Sequence, residues 1–225
     1  MLWTALAIVI VAVVAVLSYR RIIAYYAHLR PDERVIAAGV QRARNAANQH
    51  AIDSVLHLLH NGDMVMRTGA DATSYMLCQM NLHNKTYSHC GLVVIEDGYP
   101  YVYHCIGGED NPGERMRRDS ARVFFNPHSN MGIGVARFDL TPPVMDSVLL
   151  LLHDYHKRGV LFDMDFDLQT DDKIYCAELL YKVIQAAAHD AHYFRLTHFF
   201  GRTYVGVDDL YESSHAKRVC EIRYK

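Results

Sequence analysis

A basic surplus is missing from this sequence: 23 Lys and Arg stand against 25 Asp and Glu, for a formal charge of −2. Binding to nucleic acid phosphates needs a cationic face at the scale of a domain, so no nucleic-acid partner is expected. CxxC spacing is missing too. The cysteines, at 78, 90, 105, 176 and 220, are odd in number and fit neither a disulfide framework nor a zinc knuckle. Free thiols in a reducing compartment are the expectation. Only 6 Pro and 13 Gly occur, with 51% hydrophobic and 21% charged residues, which excludes disorder and fibrous repeats. The 225 residues allow one good-sized domain with appendages, or two small ones.

One long apolar run is present. From Leu2 to Leu17 only Thr4 interrupts it, and Arg20-Arg21 ends it. As a helix, residues 2–19 would reach roughly 28 Å, close to the ~30 Å hydrocarbon core, so a single transmembrane helix over 1–19 is expected. A cleaved signal peptide fits less well, because no Lys or Arg precedes the run and no A-x-A-like site follows it. Arg20, Arg21, Arg30 and Arg34 follow the span, and the positive-inside rule then puts the rest of the chain in the cytosol.

Residues 20–61 read as a linker and amphipathic helix. Pro31-Asp32-Glu33 opens it, apolar positions Ile36, Val40, Ala43, Ala47, Ile52, Val55, Leu56 and Leu59 continue it, and Asn61-Gly62 stops it. Residues 62–225 read as the folded body. A short strand over 63–67 and a helix over 70–82 lead to the firmest local feature, a β-hairpin of 88–95 and 99–106 about Asp97-Gly98. A loop is expected over 107–120, a strand over 134–140, and a helix from Thr141-Pro142-Pro143 to Arg158 that buries Leu149 to Leu152. An irregular acidic stretch over 163–172, a helix over 176–188, a strand over 201–207 and a polar end complete the chain. This order predicts an α+β fold with an antiparallel sheet packed on helices.

Cys176 begins the helix Cys176-Ala177-Glu178-Leu179-Leu180, where the positive end of the dipole and unpaired N–H groups favour a thiolate. A buried cysteine packing as a small apolar residue is the bland alternative. With a two-residue turn at Asp97-Gly98, paired hairpin residues sum to 195. His104 then lies opposite Gly91, and His89 and His104 are diagonal neighbours on one face. Two such histidines can serve as base and orienter, although a lone strand histidine is more often structural. The same register puts Cys90 opposite Cys105 on the reverse face, expected as core. His57/His60, His153/His156 and His189/His192 have i,i+3 spacing but no evident third ligand, and read as solvated helix faces. Arg115, Arg117 and Arg118 form a basic cluster that reads as a solvated loop or as a contact for anionic substrate or lipid headgroups.

Ser88-His89-Cys90-Gly91-Leu92-Val93-Val94, Tyr101-Val102-Tyr103-His104, Phe166-Asp167-Leu168 and Tyr175-Cys176-Ala177-Glu178-Leu179 resemble the circularly permuted papain-like thiol hydrolases of the NlpC/P60 superfamily. The nearest branch is the YiiX/YaeF-like one, with His before Cys in the chain, and the similarity covers roughly residues 60 to 210. It implies a permuted papain-like domain over 62–225, with Cys176 as nucleophile, His89 as general base, His104 as the polar third member, and no cofactor. Ala177 replaces the Ser common after the cysteine, and His104 replaces a frequent Glu, although lecithin:retinol acyltransferase-like proteins also use a second His. Glu178 is expected to favour the helix N-terminus electrostatically, and the N–H of Cys176 to serve as one oxyanion donor. The expected function is a membrane-anchored cysteine hydrolase acting on peptide, amide or lipid-ester substrates through an acyl-enzyme. The alternatives are a lipid acyltransferase or acyl hydrolase of the same fold, and an inert membrane-tethered binding module.

Overall fold

The turn at Asp97-Gly98 sets the register at the centre of the molecule. Both residues take positive φ, 50° and 80°, the geometry whose twist matches the flanking strands. Glu96 therefore pairs with Tyr99, Val94 with Tyr101 and Leu92 with Tyr103, the predicted register. The computed structural model containing this hairpin describes residues 33–107, 111, 113–199 and 201–225. The chain divides into units 1–38 and 39–225, of which the second is described here. The expected span, residues 2–19, lies outside the described residues. Among those described, no helix is long and apolar enough to cross a membrane.

The described elements run α1 (Glu33–Arg44), α2 (Ala46–Leu56), β1 (Met64–Gly69), α3 (Ala72–Met80), β2 (His89–Glu96), β3 (Tyr99–His104), β4 (Arg117–Ser120), α4 (Ala121–Phe124), β5 (Asn130–Phe138) and α5 (Pro142–Arg158). There follow β6 (Leu161–Phe162), β7 (Lys173–Ile174), α6 (Cys176–Ala188), β8 (Thr197–Phe199), β9 (Arg202–Tyr204), α7 (Val207–Tyr211) and β10 (Ala216–Arg223). Six strands form one sheet in the order β10-β5-β1-β2-β3-β4, with every neighbouring pair antiparallel. Mixed helix and antiparallel sheet is thus the architecture that the sequence predicts.

Both faces of the sheet are covered, and the alternation of side chains along its strands separates two cores. Met64, Met66, Cys90, Leu92, Val94 and Tyr103 face α5 and α6, meeting Val148, Leu152, Leu179, Leu180, Val183 and Ile184. Val65, Val93, Val102, Ile133 and Val135 face the other way, onto Ile52 and Val55 of α2 and onto Phe124, Phe125 and Tyr224. Each large side chain so buried stabilises the fold by about 1.5–3 kcal/mol relative to exposure.

Several local expectations are refined. The helix over 31–59 is two helices, because Asn45 leaves the helical conformation and its side chain accepts a hydrogen bond from Ala47 N at 2.9 Å, starting α2. The loop over 107–120 ends in strand β4. The polar end holds β10, and the strand over 201–207 is instead the β8–β9 hairpin about Gly201, φ 74°, followed by α7. Within α5 the core contacts come from Val148 and Leu152, while Leu150 is 71% exposed. The basic cluster is solvent-exposed and also paired within the protein. Arg118 Nε donates to Glu96 Oε2 at 2.8 Å and its guanidinium lies 3.4 Å from the Tyr101 ring centroid, Arg117 pairs with Asp119, and Arg115 donates to the Gly159 carbonyl.

Candidate active site

The hairpin brings two of the three expected residues into contact. His89 and His104 lie on the Val93/Val102 face, with His89 Nε2 2.9 Å from His104 Nδ1. Gly91 makes this approach possible. A Cβ there would stand 2.6 Å from Val102 Cγ1, 2.8 Å from the Tyr103 carbonyl oxygen and 2.9 Å from His104 Cβ. Strand β4 adds a residue that the sequence reading lacks, Asp119, whose Oδ2 is 3.1 Å from His104 Nε2.

An ionised carboxylate only accepts hydrogen bonds, and this fixes the protons along the file. Asp119 accepts from His104 Nε2–H, His104 Nδ1 accepts from His89 Nε2–H, and His89 is left with a lone pair on Nδ1. Tautomers are assigned here from the hydrogen-bond network. Electrostatics agree with neutral rings. Burial, reinforced by the charge of Arg67, holds the His89 pKa well below its usual 6.5. Burial also lowers that of His104, against the pull of Asp119. Asp119 itself titrates below the ordinary carboxylate range because of its bond to His104.

Cys176 heads α6 as predicted, but among the residues of the other face. Its side chain belongs to the core that holds Cys90 and Cys105, and all three are free thiols. No hydrogen bond joins its sulfur to either imidazole. The end of β3 bears on its charge. Val93 N–H bonds to the Asp63 carbonyl toward β1, so in an antiparallel ladder the N–H groups of Leu92 and Cys90 turn toward β3. Because β3 ends at His104, opposite Gly91, Cys90 N–H has no strand partner, and with the Cys90 thiol it favours negative charge on Cys176. The residue that stabilises the candidate nucleophile is thus next in sequence to the candidate base, His89.

The Cys176 pKa is lowered, first by the hydrogen bond from the Cys90 thiol, then by the main-chain N–H groups of Cys90, Ala177 and Cys176, all acting against burial. Cys90 moves the opposite way, pushed well up by burial and by donating to Cys176. The helix N-terminus and the main-chain donors therefore favour negative charge on Cys176 over Cys90. Glu178 serves the helix N-terminus, as expected. Its Oε2 accepts from Tyr175 N–H at 3.1 Å, capping α6. Its Oε1 lies 3.0 Å from Lys182 Nζ without hydrogen-bond geometry. Burial pushes its pKa up to about 7, so near neutrality its negative charge is only partly present.

Two further residues complete the surroundings. The Phe124 ring lies 5.7 Å from that of His89 and 5.2 Å from that of His104. Arg67, the β1 partner of His89, places its guanidinium carbon 4.9 Å from the same ring. Among the described residues no group of three or more His, Cys, Asp or Glu is placed to hold a metal ion. His89, His104 and Asp119 bond to one another in file rather than converging on a point. The HxxH pair of α5 packs instead, with both rings edge-on to Tyr103.

No family model matches the chain, and no curated protein matches its sequence. Among solved structures it is similar to metalloprotein YiiX from Escherichia coli O157:H7, with a TM-score of 0.59 and 18% identity, covering 73% of this chain and 98% of that one. The fold is therefore YiiX-like.

Proposed function

We propose that this protein is a membrane-anchored cysteine hydrolase of the permuted papain-like class, cleaving amide or ester bonds through an acyl-enzyme on Cys176. One observation supports the reading most directly: the hydrogen-bonded file Asp119–His104–His89 ends next in sequence to Cys90, which favours negative charge on Cys176. In this reading His89 Nδ1 takes the Cys176 proton and the thiolate attacks the substrate carbonyl. The N–H groups of Cys176 and Cys90 are the donors within reach of the oxyanion so formed. Imidazolium His89 then protonates the leaving amine or alkoxide, and a water activated by the same nitrogen releases the acid. His104 holds the tautomer of His89, and Asp119 that of His104.

YiiX is a metalloprotein, whereas here His89, His104 and Asp119 bond to one another in file and do not converge on a common point. Anchoring rests on the apolar run 2–19 and the arginines after it, which favour a single-pass protein with its catalytic domain in the cytosol. Digestion of that domain by protease added outside sealed, right-side-out vesicles would overturn the orientation. A span of this kind holds the site near a bilayer, so lipid acyl groups stand beside peptide-type amides as substrates, and acyl transfer beside hydrolysis.

Profiling with paired amide-directed and lipid-ester-directed thiol probes, in wild type and Cys176→Ala, tests the chemistry and chooses between these substrates. The low exposure of Cys176, 9%, favours one other reading, an inert tethered binding module. Iodoacetamide that modifies Cys176 no faster than Cys78 or Cys220 would establish the inert module.

A further inference from the structure

Arg67 is a half-buried cation whose donors are unused. Elsewhere in the fold Arg117, Arg118, Arg122 and Arg137 are paired with Asp119, Glu96, Asp53 and Asp63. Among the described residues, no acceptor is hydrogen-bonded or ion-paired to the Arg67 guanidinium, which instead lies over the face of Phe124. A guanidinium carries five N–H donors in a fixed fork, and the Arg67 nitrogens are not sealed from solvent, so the fork stays open to a ligand. Burial lowers its pKa, while the more distant charges of Asp119 and Cys176 act to raise it.

Its position says what the fork is for. Arg67 is opposite His89 across β1 and β2, on the same sheet face, and the two side chains share the Phe124 ring. Planar, bidentate recognition of carboxylate or phosphate is what an arginine does best. We propose that Arg67 is the specificity residue of this site, binding an oxyanion group, carboxylate or phosphate, that the substrate carries beside its scissile acyl bond. The proposal rests on the reading of Cys176 and His89 as nucleophile and base.

The test compares two alkylating agents of nearly equal size, anionic iodoacetate and neutral iodoacetamide, by following the Cys176 peptide of the full-length protein with mass spectrometry. In Arg67→Gln the iodoacetate-to-iodoacetamide rate ratio at Cys176 should fall about tenfold relative to wild type, with Arg67→Lys intermediate, as loss of one nearby charge predicts. Protection of Cys176 by inorganic phosphate or by acetate should weaken in the same order, and whichever ion protects names the group. An unchanged ratio in Arg67→Gln, or an equal fall in Arg117→Gln, would overturn the proposal, the latter because the field of the cluster rather than contact with Arg67 would be responsible. If Arg67→Gln does not fold, an Arg67→Lys ratio equal to wild type, with protection unweakened, would overturn it as well. A reactive Cys176 with a ratio indifferent to Arg67 removes only the anion site. A Cys176 no more reactive than Cys78 removes the hydrolase reading along with it.

Discussion

Replacing Asp119 by the isosteric Asn should harm turnover more than replacing it by Ala, and the reason lies in proton placement. Both variants lose a negative charge about 8 Å from the His89 ring, measured through the 3.1 Å and 2.9 Å bonds and the imidazole between them. At an effective dielectric constant near 20 that charge stabilises a His89 imidazolium by about 2 kcal/mol, or roughly thirtyfold in rate. Alanine loses this and little else, since water can accept from His104 Nε2–H. Asparagine also offers N–H groups. Arg117 Nη2 lies 3.3 Å from Asp119 Oδ1 and 3.2 Å from Oδ2, so it does not choose between the two orientations of the amide, and in one of them the amide N–H faces His104 Nε2. That orientation inverts the file, putting protons on His104 Nδ1 and then on His89 Nδ1, where the base needs a lone pair. With both orientations populated, Asn should be about twofold slower than Ala. Hydrolysis of an activated aryl ester measures the rates, and ¹⁵N chemical shifts of labelled histidine report the tautomers. An Asn variant as active as the Ala variant would refute the tautomer argument.

The acid limb of kcat/KM should lie below pH 6.5, since burial lowers both imidazole pKa values, and should move lower still in Asp119→Ala, where His104 loses the carboxylate that raises it; a limb moving upward would contradict the file. Gly91→Ala should lose about 1–3 kcal/mol in urea unfolding, because its Cβ overpacks Val102 and His104, and aryl esterase activity should fall with it. Glu178→Gln should flatten the pH dependence of stability. With the folded pKa raised from 4.5 to about 7, the folded state keeps a proton that the unfolded state has lost between those values, so wild-type stability falls by about 3 kcal/mol as pH rises through the window, and denaturant titrations at pH 4.5 and 7.5 compare the two proteins. Cys176→Ala and His89→Ala should each abolish turnover while circular dichroism stays native, and the double variant should be hardly slower than either single one; strictly multiplicative losses would count against the dyad.

How far the fold is legible depends on where periodicity survives. The β2–β3 register follows from Asp97-Gly98 because only residues tolerant of positive φ fit that turn, and the turn length then fixes every pair. The same holds for α6, whose apolar positions and polar entry predict its observed limits, Cys176–Ala188. Strand β10 is harder, since the register with β5 shifts between Arg218 and Cys220 and breaks the two-residue alternation along Ala216–Arg223. Strand β4 is harder again. Arg117-Arg118-Asp119-Ser120 is a short, charged edge strand, the form that protects an edge from further pairing, and it has no apolar face to announce it.

The candidate site divides along the same line. Local rules reach His89 and His104, because a single tight turn separates them. They do not reach Asp119, whose place depends on a connection of twelve residues between β3 and β4, a length that fixes no register. Nor do they reach the relation of Cys176 to the sheet. Face arithmetic puts Cys90 opposite to the histidines, and a cysteine packed on Cys90 would by that rule be cut off from His89. What reconciles the two is the end of β3. A strand that stops at His104 leaves the Cys90 N–H of β2 without a β3 carbonyl, and that N–H is free to favour negative charge on Cys176, packed in the core that holds Cys90. The histidine file and the cysteine thus belong to different faces of the sheet, and what relates them is the end of β3, a position set by the length of that strand and not by any motif.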